Sequence, residues 1–223
     1  MKFSVVVPCY IKHITYLPEV LGYINNQTLK PIEIVLAISS IPPDKTDEIK
    51  ELCTKCSEIP LKFTIIEGMA LAGINRNRGA ELCVGDWIAF MDCDDIYHPQ
   101  KLEMTAWIIN KYNPTLVLHS YMKERWGIPM RERFDLRNGV RFVPSWKTWL
   151  HTFGEEGYDD GVCPSIRAGV SVHHGHITVR RDLCNKYKFP PRRKGEDGRF
   201  CRKVFFGEGG LIVMKEALTL YRR

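Results

Sequence analysis

The first third of this chain alternates β-branched apolar runs with helical periodicity, and nothing else in the sequence constrains the fold as strongly. That alternation is the pattern of βαβ units built on a mostly parallel sheet. Phe3 to Val7 is an apolar run stopped by Pro8 and reads as a buried strand. Leu17, Val20, Leu21 and Ile24 recur at i, i+3, i+4 and i+7, one face of a helix with Pro18 in its first turn. Ile32 to Ile38 is the next strand, and after the Pro42-Pro43-Asp44 turn Ile49, Leu52, Cys53 and Cys56 repeat the helical spacing. Leu61 to Glu67 is a third strand, followed by a helix from Gly73 to Val84. Gly85-Asp86 then turns the chain into a fourth strand, Trp87 to Met91. The expected class is α/β, a mostly parallel central sheet flanked by helices.

In open sheets of this kind ligands bind beyond the carboxyl ends of the strands. The fourth strand ends there in Asp92-Cys93-Asp94-Asp95. Asp95 is accounted for as a cap of the helix that starts at Pro99 and carries Leu102, Ala106 and Ile109. Three crowded carboxylates repel one another, and a divalent cation is the simplest compensation.

Composition narrows the classes of function. The 223 residues are 44% hydrophobic and 26% charged, a globular balance that excludes wholesale disorder. No run approaches the roughly 20 apolar residues that span a bilayer. Met1 to Pro8 has neither the apolar length nor the cleavage site of a signal peptide. The expectation is a soluble, cytoplasmic protein, at most peripheral at a membrane. A net charge of +6 suits an anionic ligand without naming one. Eight cysteines are too sparse in this length for a disulfide framework. Cys53-Thr54-Lys55-Cys56 has metal or redox spacing, but no second pair follows, so packed thiols are expected.

The second half is less regular. Thr115 to Tyr121 is a fifth strand, and Lys123 to Asp160 is a long irregular stretch carrying Trp126, Trp146 and Trp149. Such a stretch in a compact domain is more often a functional insertion than a linker; its tryptophans suit core packing or stacking on a sugar. His173-His174-Gly175-His176 leads into Ile177-Thr178-Val179, an edge-like strand whose histidines are either a polar strand end or a metal contact. Residues 186 to 203 are basic, interrupted by Gly195-Glu196-Asp197-Gly198. Positive neighbours keep a carboxylate ionised, as a general base acting near pH 7 requires.

These residues resemble a known family. Val5-Val6-Val7-Pro8-Cys9-Tyr10 resembles the opening strand and nucleotide loop of the family 2 glycosyltransferases of the GT-A (nucleotide-diphospho-sugar transferase) fold. Asn75-Arg76-Asn77-Arg78-Gly79-Ala80 resembles the family's A-R-N-x-G-A helix, Gly85 to Asp95 the strand that delivers its DxD motif, and Gly195 to Phe200 its late acidic motif. The resemblance implies one GT-A domain, with residues 1–98 as the nucleotide-sugar-binding half and 99–223 as the acceptor-binding half. It implies an inverting, metal-dependent transfer from a UDP-, GDP- or dTDP-sugar, UDP being the most frequent in the family. Asp94 would ligate Mn²⁺ or Mg²⁺, with Asp92 reaching the ribose or sharing the metal. Pro8, Tyr10, Arg76 and Cys93 would join Asp92 in the nucleotide-sugar pocket. Asp197 would be the general base, with Glu196 as second choice. The acceptor would be a glycan, a protein-linked glycan or a lipid-linked one. One departure stands out: where the family shows an acidic D-D-G-S-like turn contacting the base, this chain has Ser39-Ser40, leaving Ser39 to make that contact.

Other readings fit fewer residues. A sugar nucleotidyltransferase would open on a glycine-rich phosphate loop, and residues 8 to 16 contain no glycine. A non-catalytic nucleotide-sugar-binding subunit is favoured by the Ser39 turn and opposed by the presence of Asp92, Asp94 and Asp197. A nicotinamide dehydrogenase would need G-x-G-x-x-G after the first strand. Nucleic-acid binding rests only on the basic loop and is not expected.

Overall fold

The computed structural model describes residues 1–123, 140–143 and 174–222. Trp126, Trp146, Trp149 and His173 lie outside them. The elements run β1 (Phe3–Tyr10), α1 (Leu17–Asn25), β2 (Glu33–Ser39), α2 (Thr46–Cys56), β3 (Leu61–Ile66), α3 (Ala72–Leu82), β4 (Trp87–Phe90), β5 (Ile96–Tyr97), α4 (Lys101–Tyr112), β6 (Leu116–Lys123), β7 (Val140–Val143), β8 (Thr178–Arg180), α5 (Arg181–Lys186), α6 (Glu196–Glu208) and β9 (Leu211–Tyr221). Among the described residues the strands form one nine-stranded sheet in the order β3-β2-β1-β4-β8-β6-β9-β5, with β7 on β9.

The first four strands form the parallel ladder that the alternation predicts. β1 and β2 are flanked on both sides, so a continuous apolar run suits them, and nearly every residue of each is buried. β1 does not stop at Pro8 but pairs with β2 as far as Tyr10. The Val6 carbonyl accepts from Met91 N–H on the β4 side. Two residues on, Pro8 turns the same way, beyond the last β4 pair, where no donor is needed. On α1 the residues Leu17, Val20, Leu21 and Ile24 are all buried, as their spacing requires. Cys53 is buried on the inner face of α2, where burial pushes its thiol up to about 12, and it carries no disulfide. It is a packed thiol.

Two expectations about the second half are corrected. The strand at residues 177–179 is not edge-like: β8 lies inside the sheet, antiparallel to β4 on one side and to β6 on the other. Its shortness and polar neighbours hide the fact that Ile177, Thr178 and Val179 are all buried. Asp95 does not cap the helix after Pro99, because β5 intervenes and α4 begins only at Lys101, after Gln100. The helix ends as expected before Pro114, with Asn113 in the left-handed conformation (φ 46°).

α3 crosses β1 closely at Gly79, where a Cβ would collide with Val6 Cγ1. Gly79→Ala is therefore expected to destabilise the fold by about 1–3 kcal/mol, a drop of several degrees in Tm at this chain length. An unchanged thermal melting curve would show that α3 can move away at no cost.

Candidate active site

The carboxyl ends of β1 and β4, the start of α3, the residues before α6 and the end of β9 surround a cleft of about 460 Å³. That size suits a nucleotide-sized ligand. Of the residues singled out in the sequence, the cleft gathers Pro8, Tyr10, Arg76, Asp92, Cys93, Asp94, Glu196 and Asp197 along its walls. Ser39 is not among them. It is fully buried, and its hydroxyl accepts a hydrogen bond from Asn75 Nδ2 at 3.0 Å. Asn75 does line the cleft, held by a second bond to the Cys9 carbonyl and by Arg78, which donates to its Oδ1 at 2.7 Å.

Arg76 is the hinge of the charge arrangement. It is 3% exposed, and its guanidinium donates to Asp92 Oδ1 at 2.8 Å and to Glu196 Oε1 at 2.9 Å. Burial alone would lower its pKa, but the carboxylates of Asp92, Asp197 and Glu196 outweigh that and raise it. Its plane stands 5.6 Å over the Phe189 ring, which in turn stacks on Phe200 of α6. Asn77, one residue along α3, exchanges two hydrogen bonds of 2.9 Å with the Phe189 backbone. This clamp fastens α3 to the segment that delivers the late acidic motif, joining residues 112 apart in sequence. Glu196 and Asp197 open α6 after Gly195, whose φ of 69° makes the turn into the helix. The positive end of the helix favours carboxylates there. Arg76 acts on both carboxylates, and Arg193 and Lys194 from the basic loop line the same cleft.

Each aspartate of the 92–95 run has its own protein partner. Asp92 meets Arg76, Asp94 Oδ2 lies 3.0 Å from His13 Nδ1, and Asp95 Oδ2 lies 2.7 Å from His176 Nε2. Of these partners only Arg76 carries a fixed positive charge. The possible ligand sets divide accordingly: His13, Cys93 and Asp94 form one group, and Asp92, Asp95 and His176 another. Asp92 and Asp94 do not fall in a single group. Cys93 is buried, and a hydrogen bond with Cys9, then burial, then the flanking carboxylates push its thiol up, which keeps it protonated.

A buried polar layer supports the loop from below. His176 stacks on His119 at 5.9 Å, and His119 Nε2 lies 2.6 Å from Lys101 Nζ. Tyr97 donates to the Asp92 carbonyl at 2.8 Å. Lys101 is fully buried, which brings its pKa down from 10.5 to about 7, against the pull of Asp92 and Asp95. Below about pH 7 folded and unfolded chains both carry the proton. Between there and 10.5 only the unfolded chain keeps it, so this group adds stability as pH rises across that window. Lys101→Met is expected to flatten that rise, read as the difference in Tm between the variant and the wild type from about pH 6 to about pH 9. A difference constant with pH would show that Lys101 does not titrate in the folded protein.

Sequence reasoning missed His13, Asn75 and Tyr221, all of which line the cleft. His13 follows the opening strand closely and Asn75 replaces the alanine of the family's helix motif, so both carried a readable signal. Tyr221 had none, because its place at the cleft comes from the pairing of β9 with β6 and β5, both far from it in sequence.

Residues 4–168 match the family described as Glycosyl transferase family 2. The chain is 24% identical to the glycosyltransferase GlyA of Streptococcus pneumoniae over 234 residues, 99% of this chain and 30% of GlyA. It resembles the solved structure of S. aureus TarS in complex with UDP-GlcNAc with a TM-score of 0.72 and 21% identity, covering all of this chain and 59% of that one. It also resembles glucosyl-3-phosphoglycerate synthase of Mycobacterium tuberculosis, solved with Mn²⁺, UDP and glucosyl-3-phosphoglycerate, with a TM-score of 0.61 and 16% identity over all of this chain and 72% of that one. The chain spans about a third of GlyA and under two thirds of TarS. The architecture is the GT-A fold, and the chain belongs to glycosyl transferase family 2.

Proposed function

We propose that this chain transfers a sugar from a nucleotide-diphosphate sugar, a UDP-sugar foremost, to an acceptor hydroxyl in glycan or glycoconjugate synthesis, with inversion at the anomeric carbon. The observation that carries the reading is the cleft at the carboxyl ends of β1 and β4, where Arg76 is buried between Asp92 and Glu196 and Asp197 shares the wall. The UDP-GlcNAc bound by TarS and the UDP bound by the mycobacterial synthase support a uridine donor.

In this reading Pro8, Tyr10 and Asn75 hold the nucleoside end, and residues 1–98 form the donor half. Arg76 holds Asp92 in place and presents positive charge toward the diphosphate. Asp197 accepts the proton of the acceptor hydroxyl. The acceptor oxygen then bonds to the anomeric carbon as the bond to the diphosphate breaks, and the nucleoside diphosphate leaves with the electron pair. Glu196 is less suited to the proton transfer, because its carboxylate is already engaged by Arg76. The Asp94 carboxylate would hold the divalent cation, Mn²⁺ or Mg²⁺, with His13 and Cys93 beside it. Such a cation, when bound, supplies Lewis-acid neutralisation of the departing diphosphate. Among the described residues no helix is long and apolar enough to cross a membrane.

Calorimetric titration of UDP, GDP and dTDP, first with Mn²⁺ and then with EDTA, tests this. Metal-dependent binding of one nucleotide is expected and names the donor class. Binding of none removes the donor site and favours a non-catalytic role.

A further inference from the structure

Three donor atoms of different chemistry meet at the floor of the cleft. His13 Nδ1 lies 3.0 Å from Asp94 Oδ2, and Cys93 Sγ completes a group whose donor atoms all lie within 4.8 Å of one another. They come from two separated stretches, the short helix Ile11–Tyr16 after β1 and the loop after β4. Their burial is graded: Cys93 is 4% exposed, whereas the His13 and Asp94 side chains keep 26% and 15%. Cys93 is the most buried of the three, and all three residues line the cleft. A second thiol, Cys9, lines the same cleft, and neither it nor Cys93 is in a disulfide.

Magnesium prefers oxygen ligands throughout, whereas imidazole with thiolate and carboxylate is a donor set for Zn²⁺ and Co²⁺. Three protein ligands with a fourth position left open is the arrangement of zinc sites that take an exchangeable ligand. We propose that His13, Cys93 and Asp94 form a site for a thiophilic divalent cation of the Zn²⁺ class, its open position facing the cleft. This rests on reading Asp94 as a metal ligand and adds the two residues that decide which metal is held. On binding, the Cys93 S–H bond breaks and the proton leaves to solvent. The sulfur electron pair forms the metal bond, and no atom changes oxidation state. A cation held this way occupies Asp94 and competes there with Mn²⁺ or Mg²⁺.

Co²⁺ is the probe, titrated into the whole, reduced, metal-free chain without nucleotide. A near-ultraviolet thiolate-to-cobalt charge-transfer band is expected in the wild type, displaced by Zn²⁺ and absent from Cys93→Ser. Zn²⁺ affinity is expected to fall at least about 10–100-fold in Cys93→Ser and in His13→Ala, while Mn²⁺ affinity in Cys93→Ser moves by less than about twofold. Cys93→Ala repeats the test if the serine variant lacks a cooperative melt, and Cys56→Ser, on α2, is expected to keep the band. Bound Mn²⁺ with a cobalt spectrum lacking the thiolate band overturns the thiophilic site and leaves Asp94 a metal ligand. A band that survives loss of the Cys93 thiol places the cobalt on other cysteines and overturns it as well. No binding of any divalent cation overturns both the site and the metal role of Asp94.

Discussion

Asp197→Asn is expected to lower turnover about 10²–10⁴-fold, the usual worth of a general base, while donor affinity barely moves. Asparagine keeps the size of the side chain and its oxygen acceptor for the Gly198 N–H, which donates to Asp197 Oδ1 at 2.7 Å. The start of α6 should therefore keep its shape. What is lost is the ability to accept a proton beside Arg76. Turnover under saturating donor and acceptor, set beside the dissociation constant of the donor nucleotide, separates the outcomes. If affinity falls and rate holds, Asp197 is a binding residue. Glu196→Gln is the informative contrast. Glu196 pairs with Arg76, so its replacement is expected to cost stability more than rate.

Asp94→Asn is expected to remove the metal-dependent part of both transfer and nucleotide binding. Lewis-acid stabilisation is worth several kcal/mol in a transition state, which corresponds to about 10³-fold or more in rate. Asparagine can still meet His13 but carries no charge for a cation. Transfer assayed with Mn²⁺ and with EDTA should therefore differ in the wild type and coincide in the variant. Unchanged turnover would remove Asp94 from the metal site. Asp92→Asn should behave differently, because Asp92 is tied to Arg76 at 2.8 Å and its loss weakens a buried ion pair.

The parallel half of the fold was legible because its strands are buried on both faces and its helices carry one apolar stripe. Leu17, Val20, Leu21 and Ile24 show that stripe in sequence and in space alike. The second half was legible as strands, Thr115 to Tyr121 and Ile177 to Val179, but not as a topology. β8 is three residues long, too short for any period to show, and its place in the sheet is set by neighbours from both β4 and β6. At the site, the residue types announced the acidic loop and Asp197, but not which partner each carboxylate would find. The His176 contact with Asp95 spans 81 residues and the Glu196 contact with Arg76 spans 120. Pairs so far apart leave no local pattern. Ser39 went astray for a related reason: its hydroxyl is satisfied by Asn75, a residue read only as part of a motif.

The pairing of β9 bears on the order in which the molecule assembles. β1 to β4 pair among themselves within residues 3–90, so their ladder can form as soon as those residues have left the ribosome. Among the described residues β5 pairs only with β9, through Ile96 with Leu220, and Arg222 N–H reaches Asp95 Oδ1 from 127 residues away. Closing so long a loop is slow compared with local pairing. During synthesis the β1–β4 ladder therefore stands formed while the segment after Asp95 still lacks its strand partner. That segment is docked only once β9, far downstream in the chain, has emerged.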